Sequence, residues 1–350
     1  MKPSKKLLLY VMTGAIIGLF AFVSGELLLR IYHAVNPVFV FTDTSYNRFR
    51  GKPYADDYDF QLNSKGFKDV EFAKAKEPGV YRIVGIGDSF VFGVVPYRDN
   101  FLTVLEEILQ TPSRAVEVIN MGIPGTSPSD YLSMLVNEGV ELNPDLVVLC
   151  LFIGNDFEAK ASPRFKSYLV SFFRFLMAAR QHWQGSVIHG KADYQDRQPT
   201  FSEEKYLEIE KVRSAIFKKH NDAFRRSLKT TLAYLTQIRD ICLHRNSSLL
   251  IVLIPDELQI NGDLQRQVIA SQASLAEEWD FTLPNTLLSQ ELRRLGIDHA
   301  DLLDVFLRRS ATTDLYKPRD SHWNIAGNHI AAEAIAEHLS ADPAKTLSRL

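Results

Sequence analysis

The chain has 350 residues, 46% of them hydrophobic and 23% charged, with a formal net charge of −2. That balance suits a globular protein with a sizeable core and argues against a disordered chain or a basic nucleic-acid-binding surface. The 9 histidines and 2 cysteines show no Cys-x-x-Cys or His-x-x-x-His spacing, so neither a metal nor another cofactor is expected. Cys150 lies in an apolar run and Cys242 in a helical pattern, and both read as free, buried thiols.

Taken in chain order, the first element is an apolar helix. Residues 7–25, "LLLYVMTGAIIGLFAFVSG", carry no charge. As a helix they span roughly 28 Å at about 1.5 Å per residue, about one hydrocarbon core. Lys2, Lys5 and Lys6 precede them, which places the N-terminus in the cytoplasm and all that follows Arg30 outside. A retained anchor over residues 1–30 is expected, with the rest of the chain in the periplasm of a Gram-negative cell. Val23-Ser24-Gly25 leaves a cleaved signal peptide as the competitor.

Residues 31–80 read as an irregular approach segment, polar in "KPYADDYDFQLNSKGFKD", with turn signals at Asn63-Ser64 and Gly66. From Tyr81 short apolar runs alternate with amphipathic stretches. The runs are "YRIVGIG" (81–87), "AVEVINMG" (115–122), "DLVVLCLFIG" (145–154), "SLLIVLIP" (248–255) and "LLDVF" (302–306). Runs of this length suit parallel strands buried on both faces. Between them, Ser127-Pro128 reads as a helix start, followed by a stripe of Tyr131, Leu132, Leu135 and Val136. Residues 222–245, 264–279 and 325–339 have helical periodicity as well. The expected fold is α/β with a parallel sheet, over residues 81–340. The interval 157–221 is too long for a plain crossover and reads as an inserted cap or lid. Within it, residues 165–183, with Lys166, Arg174 and Arg180, read as an ordinary subdomain helix packed on the sheet, or, being aromatic and basic, as an interfacial or substrate-covering helix.

Sites in parallel α/β sheets form at the carboxyl ends of the strands. Here those ends are Gly87-Asp88-Ser89, Asn120-Met121-Gly122 and Gly154-Asn155-Asp156, and Asp320-Ser321-His322-Trp323 follows the last strand. Acyl transfer needs such a set. Ser89 is the candidate nucleophile and His322 the base that takes its proton, with Asp320 orienting the imidazole. The amides of Ser89 and Gly122 and the Asn155 side chain are candidate oxyanion donors. Asp88 and Asp156 read as structural, and His329 and His338 as surface residues of the last helix. "GIGDSF" lacks the third glycine of a dinucleotide loop, and Val91 stands where a Gly-x-Ser-x-Gly elbow needs glycine.

These blocks resemble the SGNH, or GDSL-type, hydrolase family over about residues 80–340. "GDSF" carries Ser89, "NMG" carries Gly122, "GND" carries Asn155, and "DSHWN" carries Asp320 and His322. The resemblance implies a flavodoxin-like sheet of strand order 2-1-3-4-5 and ester chemistry. The family usually places Asp three residues before His, whereas here it is two before. The anchor and the "DSHWN" ending are similar to membrane-anchored members associated with surface polysaccharides. The expected function is a serine esterase acting through an acyl-enzyme on O-acyl groups, O-acetyl above all, of an envelope carbohydrate. An O-acetyltransferase using the same residues is the alternative, and a catalytically inactive anchored scaffold the third.

Overall fold

The computed structural model describes residues 5–35, 51, 53–157, 167–170, 172–173, 176, 189–272 and 275–341. The chain divides into two compact units, Met1–Arg48 with Lys160–Gly185, and Phe49–Ala159 with Ser186–Leu350.

In the first unit, helix α1 (Lys5–Val35) contains a 24-residue stretch, Leu9–Tyr32, of mean hydropathy 1.9, with its apolar side chains exposed. It is long and apolar enough to cross a membrane. Glu26 near its end is not left bare. It pairs with Arg30 at 2.7 Å and accepts from Ser167 Oγ (2.8 Å) and from the backbone N–H groups of Tyr168 (3.0 Å) and Leu169 (2.9 Å). Of the aromatic–basic stretch 165–183, Lys166, Arg174 and Arg180 lie outside the described residues, as do residues 36–50 of the approach segment.

The second unit is built on a parallel sheet of β3 (Val80–Ile86), β4 (Ala115–Asn120), β5 (Leu146–Phe152), β6 (Ser248–Ile254) and β7 (Asp298–Asp301). Strands β1 (Asp56–Asp57) and β2 (Phe60–Gln61) form a small antiparallel hairpin before it. The sheet order is β4-β3-β5-β6-β7, which is 2-1-3-4-5 when its own strands are counted, as the family resemblance implies. Central β5 is buried at every residue, because helices cover both faces of the sheet. Leu146, Val148, Cys150 and Phe152 point to one face, where they join Leu102 and Leu105 of α3 (Phe101–Leu109) and Ile335 and Leu339 of α11 (Ile325–Ala341). The alternate residues Val147, Leu149 and Leu151 are buried on the other face. Helices α4 (Pro128–Asn137) and α6 (Asp222–His244) pack together there. Both cysteines are free and buried.

Several sequence expectations need correction. The fifth strand is Asp298–Asp301, and "LLDVF" falls largely in helix α10 (Leu303–Arg309). The edge strand buries only Ala300, so its letters are polar, whereas Leu302, Leu303 and Phe306 are buried at helical spacing. The helix expected at 264–279 is shorter, α8 (Gly262–Ser271), and Val136 on α4 is exposed while Met134 takes the buried stripe. Helices α5 (Glu203–Arg213) and α9 (Leu283–Arg294) were not individually legible. The interval 157–221 is divided between the two units: Lys160–Gly185 groups with α1, and the remainder, with α5, belongs to the sheet unit.

The approach segment is likewise divided, and from Phe49 onward it belongs to the sheet unit. Polar letters conceal its buried residues Leu62 and Phe67 and the fully buried Lys68. Lys68 Nζ pairs with Asp57 at 2.5 Å and donates to the carbonyls of Gly93 (2.9 Å) and Val95 (2.5 Å). Burial pulls its pKa down and the Asp57 charge opposes that pull. Removing one partner of a buried pair strands the other, at a cost of about 3–5 kcal/mol. Lys68→Met is therefore expected to lower the unfolding free energy by about that amount in urea titrations. An unchanged midpoint would contradict the pairing.

Candidate active site

Strand β3 delivers the chain to Gly87-Asp88-Ser89. Asp88 is buried, and its Oδ1 accepts the Phe90 N–H (2.9 Å), capping the short helix α2 (Ser89–Phe92). Burial pushes the Asp88 carboxyl up, opposed by that N–H and by the charges of His322 and Arg213. Ser89 is the first residue of α2, so its N–H has no intrahelical acceptor.

The far end of α2 is held by side chains. The Val91 carbonyl accepts from Asn120 Nδ2 (2.8 Å) and Asn100 Nδ2 (3.0 Å), and the Phe92 carbonyl from Asn100 Nδ2 (3.2 Å). These bonds tie the serine turn to the end of β4 and to the start of α3.

His322 arrives on a tight hairpin. The Lys317 N–H donates to the His322 carbonyl (3.0 Å) and the Asn324 N–H to the Leu315 carbonyl (3.1 Å). The turn between them places Arg319 at φ 50°, a left-handed conformation unusual for a residue with a side chain. That bend brings Asp320 and His322 to face each other in spite of the single residue between them. Asp320 Oδ1 lies 2.6 Å from His322 Nδ1 and accepts the His322 backbone N–H at 3.1 Å. His322 Nε2 lies 2.7 Å from Ser89 Oγ. The imidazole packs on Phe90, ring centroids 5.2 Å apart, with buried Trp323 behind it.

Thr200 was not visible as a site residue in the sequence. Its hydroxyl donates to Asp320 Oδ2 at 2.5 Å, and its backbone N–H donates to the Pro318 carbonyl at 3.2 Å. No motif marks it, and it lies in the interval read as an insertion. Burial acts to raise the Asp320 carboxyl. The His322 bond and charge, the Thr200 hydroxyl and the His322 N–H outweigh it and hold the group down at about 2.

The expected oxyanion donors divide. Asn155 sits half-buried in the turn after β5, its side chain against the Asp88 carboxyl and its Oδ1 without a donor among the described residues. Neighbouring Asp156 anchors that turn by accepting Tyr131 OH (2.9 and 3.0 Å) and the Phe152 N–H (2.8 Å). The Gly122 amide, by contrast, is already donated to Asn120 Oδ1 at 2.9 Å. The glycine is needed for a different reason. A Cβ there would lie 2.1 Å from Phe92 N and 2.5 Å from the Val91 carbonyl carbon, so only glycine lets this loop cross the serine helix. His329 and His338 are on α11, where they face Asp99 (3.3 Å) and Asp298 (3.2 Å). Among the described residues no cluster of His, Cys, Asp and Glu is arranged to hold a metal ion.

Residues 213–349 match the family described as SGNH hydrolase-like domain, acetyltransferase AlgX. No curated protein matches the chain. Solved structures similar to it include a G-D-S-L family protein from Desulfitobacterium hafniense DCB-2, at 14% identity and TM-score 0.41, covering 74% of this chain and 99% of that one. A catalytic mutant of an acetylxylan esterase from Geobacillus stearothermophilus is 14% identical at TM-score 0.42, covering 76% and 96%. An acetyl xylan esterase is 16% identical at TM-score 0.39, covering 73% and 98%.

The Asp320 environment makes a pH prediction. With its pKa depressed to about 2, Asp320 contributes stability that is fully present above the usual carboxylate range and is lost as pH falls through about 2. The contribution at neutral pH is about 2–3 kcal/mol. Thr200→Val removes one donor, so thermal unfolding is expected to become acid-sensitive at higher pH than in wild type. Superimposable curves of Tm against pH would contradict the Thr200 contact.

Proposed function

We propose that the chain, whose residues 213–349 match an SGNH hydrolase-like family, is a membrane-anchored serine enzyme removing or transferring O-acetyl groups on an envelope carbohydrate. The observation that carries this is the continuous relay from Ser89 Oγ through His322 to Asp320, at 2.7 and 2.6 Å.

In this mechanism His322 Nε2 takes the Ser89 proton as Oγ attacks the ester carbonyl. Asp320, ionised at neutral pH, accepts a hydrogen bond from Nδ1–H and stabilises the imidazolium. The oxyanion is met by the Ser89 N–H and the Asn155 amide, each such donor contributing about 3–4 kcal/mol. Gly122 supports the site sterically, its own N–H being engaged by Asn120. His322 then gives its proton to the leaving alcohol, and the acyl group remains on Ser89. Attack by water, with His322 again as base, completes hydrolysis. Attack by a sugar hydroxyl completes transfer. The description of the matching family as an acetyltransferase favours including the second outcome. The intact relay speaks against an inactive scaffold.

For the anchor, we infer that α1 is retained, with Lys2, Lys5 and Lys6 on the cytoplasmic side and the sheet unit outside. The 24-residue length of the apolar stretch supports retention, since a signal-peptide apolar core runs to only about 7–15 residues.

Ser89→Ala is expected to fold normally and to lose p-nitrophenyl acetate turnover by a factor on the order of 10⁴ or more. Residual activity above about one per cent would remove Ser89 from the nucleophile role. Mass spectrometry of acetylated glycans, with and without an acetyl donor, separates hydrolysis from transfer. Carbonate extraction that releases a form lacking residues 1–25 would replace the anchor with a signal peptide.

A further inference from the structure

Two acidic side chains meet in the interior behind the Gly154–Asn155 turn. Glu210 on α5 and Asp256 in the loop after β6 are both fully buried. Asp256 Oδ1 is occupied by the Leu258 N–H (2.8 Å), and Glu210 Oε1 by Arg213 Nη1 (3.2 Å). That leaves Asp256 Oδ2 and Glu210 Oε2, and neither has a donor among the described residues. The two carboxyl groups interact with each other. Two bare carboxylates cannot share a buried site. One proton between them turns the repulsion into a charge-assisted O–H···O bond.

Asp256 also touches the turn itself. A Cβ on Gly154 would fall 2.2 Å from Asp256 Oδ2, so this oxygen lies against the residue that precedes Asn155. The Ile153 N–H donates to the Ile254 carbonyl (3.0 Å), which ties the two loops together at their roots. The pair is thus the back wall of the turn that presents the Asn155 amide.

We propose that Glu210 and Asp256 share one proton as an acid–carboxylate pair, and that this pair positions the Gly154–Asn155 turn, so that losing the proton shuts down turnover. Glu210 touches no reacting atom and acts through Asp256, which makes it a positioning residue.

The surrounding charges favour keeping the proton at neutral pH. Arg213, on the same helix as Glu210, is the cation that acts on both carboxyls. Against it stand Glu257, whose Oε2 accepts the Tyr206 hydroxyl, and the two carboxyls themselves. Tyr316 closes the remaining side with its hydroxyl donated to the Pro255 carbonyl (2.6 Å). Burial, with the Asp256 charge, pushes Glu210 up to about 9, and burial pushes Glu257 up to about 7. Above that range the proton leaves to solvent, and two like charges face each other across the wall. Asp256 Oδ2 then has reason to move away from Glu210, and Gly154 is in contact with it.

The test uses the full-length protein and two readouts. Infrared difference spectra, recorded as pH is raised beyond the titration of Glu257, are expected to show a further protonated-carboxyl C=O stretch disappearing in wild type. That band is expected to be missing in Glu210→Gln and also in Asp256→Asn, which serves if the first variant fails to fold. In the kinetic arm, wild-type kcat is expected to fall by about tenfold per pH unit above the transition. The Glu210→Gln profile, scaled to its own maximum, is expected to stay flat over that range, because an amide donates without titrating. An equal alkaline fall in Glu210→Gln, or a wild type with no such band, would overturn the proposal. The kinetic arm rests on the Ser89–His322 chemistry proposed above, whereas the infrared arm does not. The band is therefore also recorded in Ser89→Ala. The band is expected to persist there; a wild type that shows the band but no esterase activity sinks the functional reading alone, and an active wild type without the band sinks the pair alone.

Discussion

The charge on Asp320 is the constraint from which the rest of the site follows. A carboxylate this buried is stable only if donors replace the water it has lost, and here His322 Nδ1, the His322 backbone and the Thr200 hydroxyl do so. Those donors are available only in one backbone arrangement. The hairpin must fold back so that Lys317 pairs with His322, and Arg319 must take the left-handed conformation. A residue with a Cβ adopts that conformation at a cost of roughly 1 kcal/mol, which the charge-assisted bonds offset. Once Asp320 is fixed, the imidazole has one orientation, and its Nε2 is aimed at Ser89.

The serine side answers with equal rigidity. Helix α2 is only four residues long and has no cooperative stability of its own. It is held instead by neighbours, with Asp88 at its start and Asn100 and Asn120 on its terminal carbonyls. Lys68 reaches the next carbonyls from the approach segment. Gly122 belongs to the same design, because any side chain there would strike the backbone of α2. Ser89 is therefore positioned by bonds that come from four separate parts of the chain. A parallel sheet brings such parts to one edge, since every strand ends on the same side.

Much of this was legible in the sequence, for a physical reason. Reactive groups stand at strand ends, and buried strands are continuous apolar runs, so the runs ending in Gly87, Gly122 and Gly154 mark the edge where Ser89 and Asn155 emerge. Asp320 was legible as a partner of His322 even though its spacing departs from the family, because a turn can fold the two side chains together. What escaped depends on burial that the letters do not display. Lys68 and Glu210 read as solvent-facing charges and are interior. Thr200 is an ordinary threonine until the hairpin docks against it. The Gly122 amide was assigned from its place in a block, whereas its use is decided by Asn120, two residues before it. The polar strand Asp298–Asp301 failed for a related reason, as an edge strand has little need of apolar residues.

The central claim is that Ser89 is a nucleophile activated by His322, and covalent labelling tests it most directly. A fluorophosphonate probe reacts with a serine only when a base has made its oxygen nucleophilic. Peptide-resolved mass spectrometry of the labelled wild-type protein is predicted to find one adduct, on the peptide containing Ser89, and to find none in His322→Ala. Labelling on another residue, or on Ser89 at an undiminished rate without His322, would contradict the account.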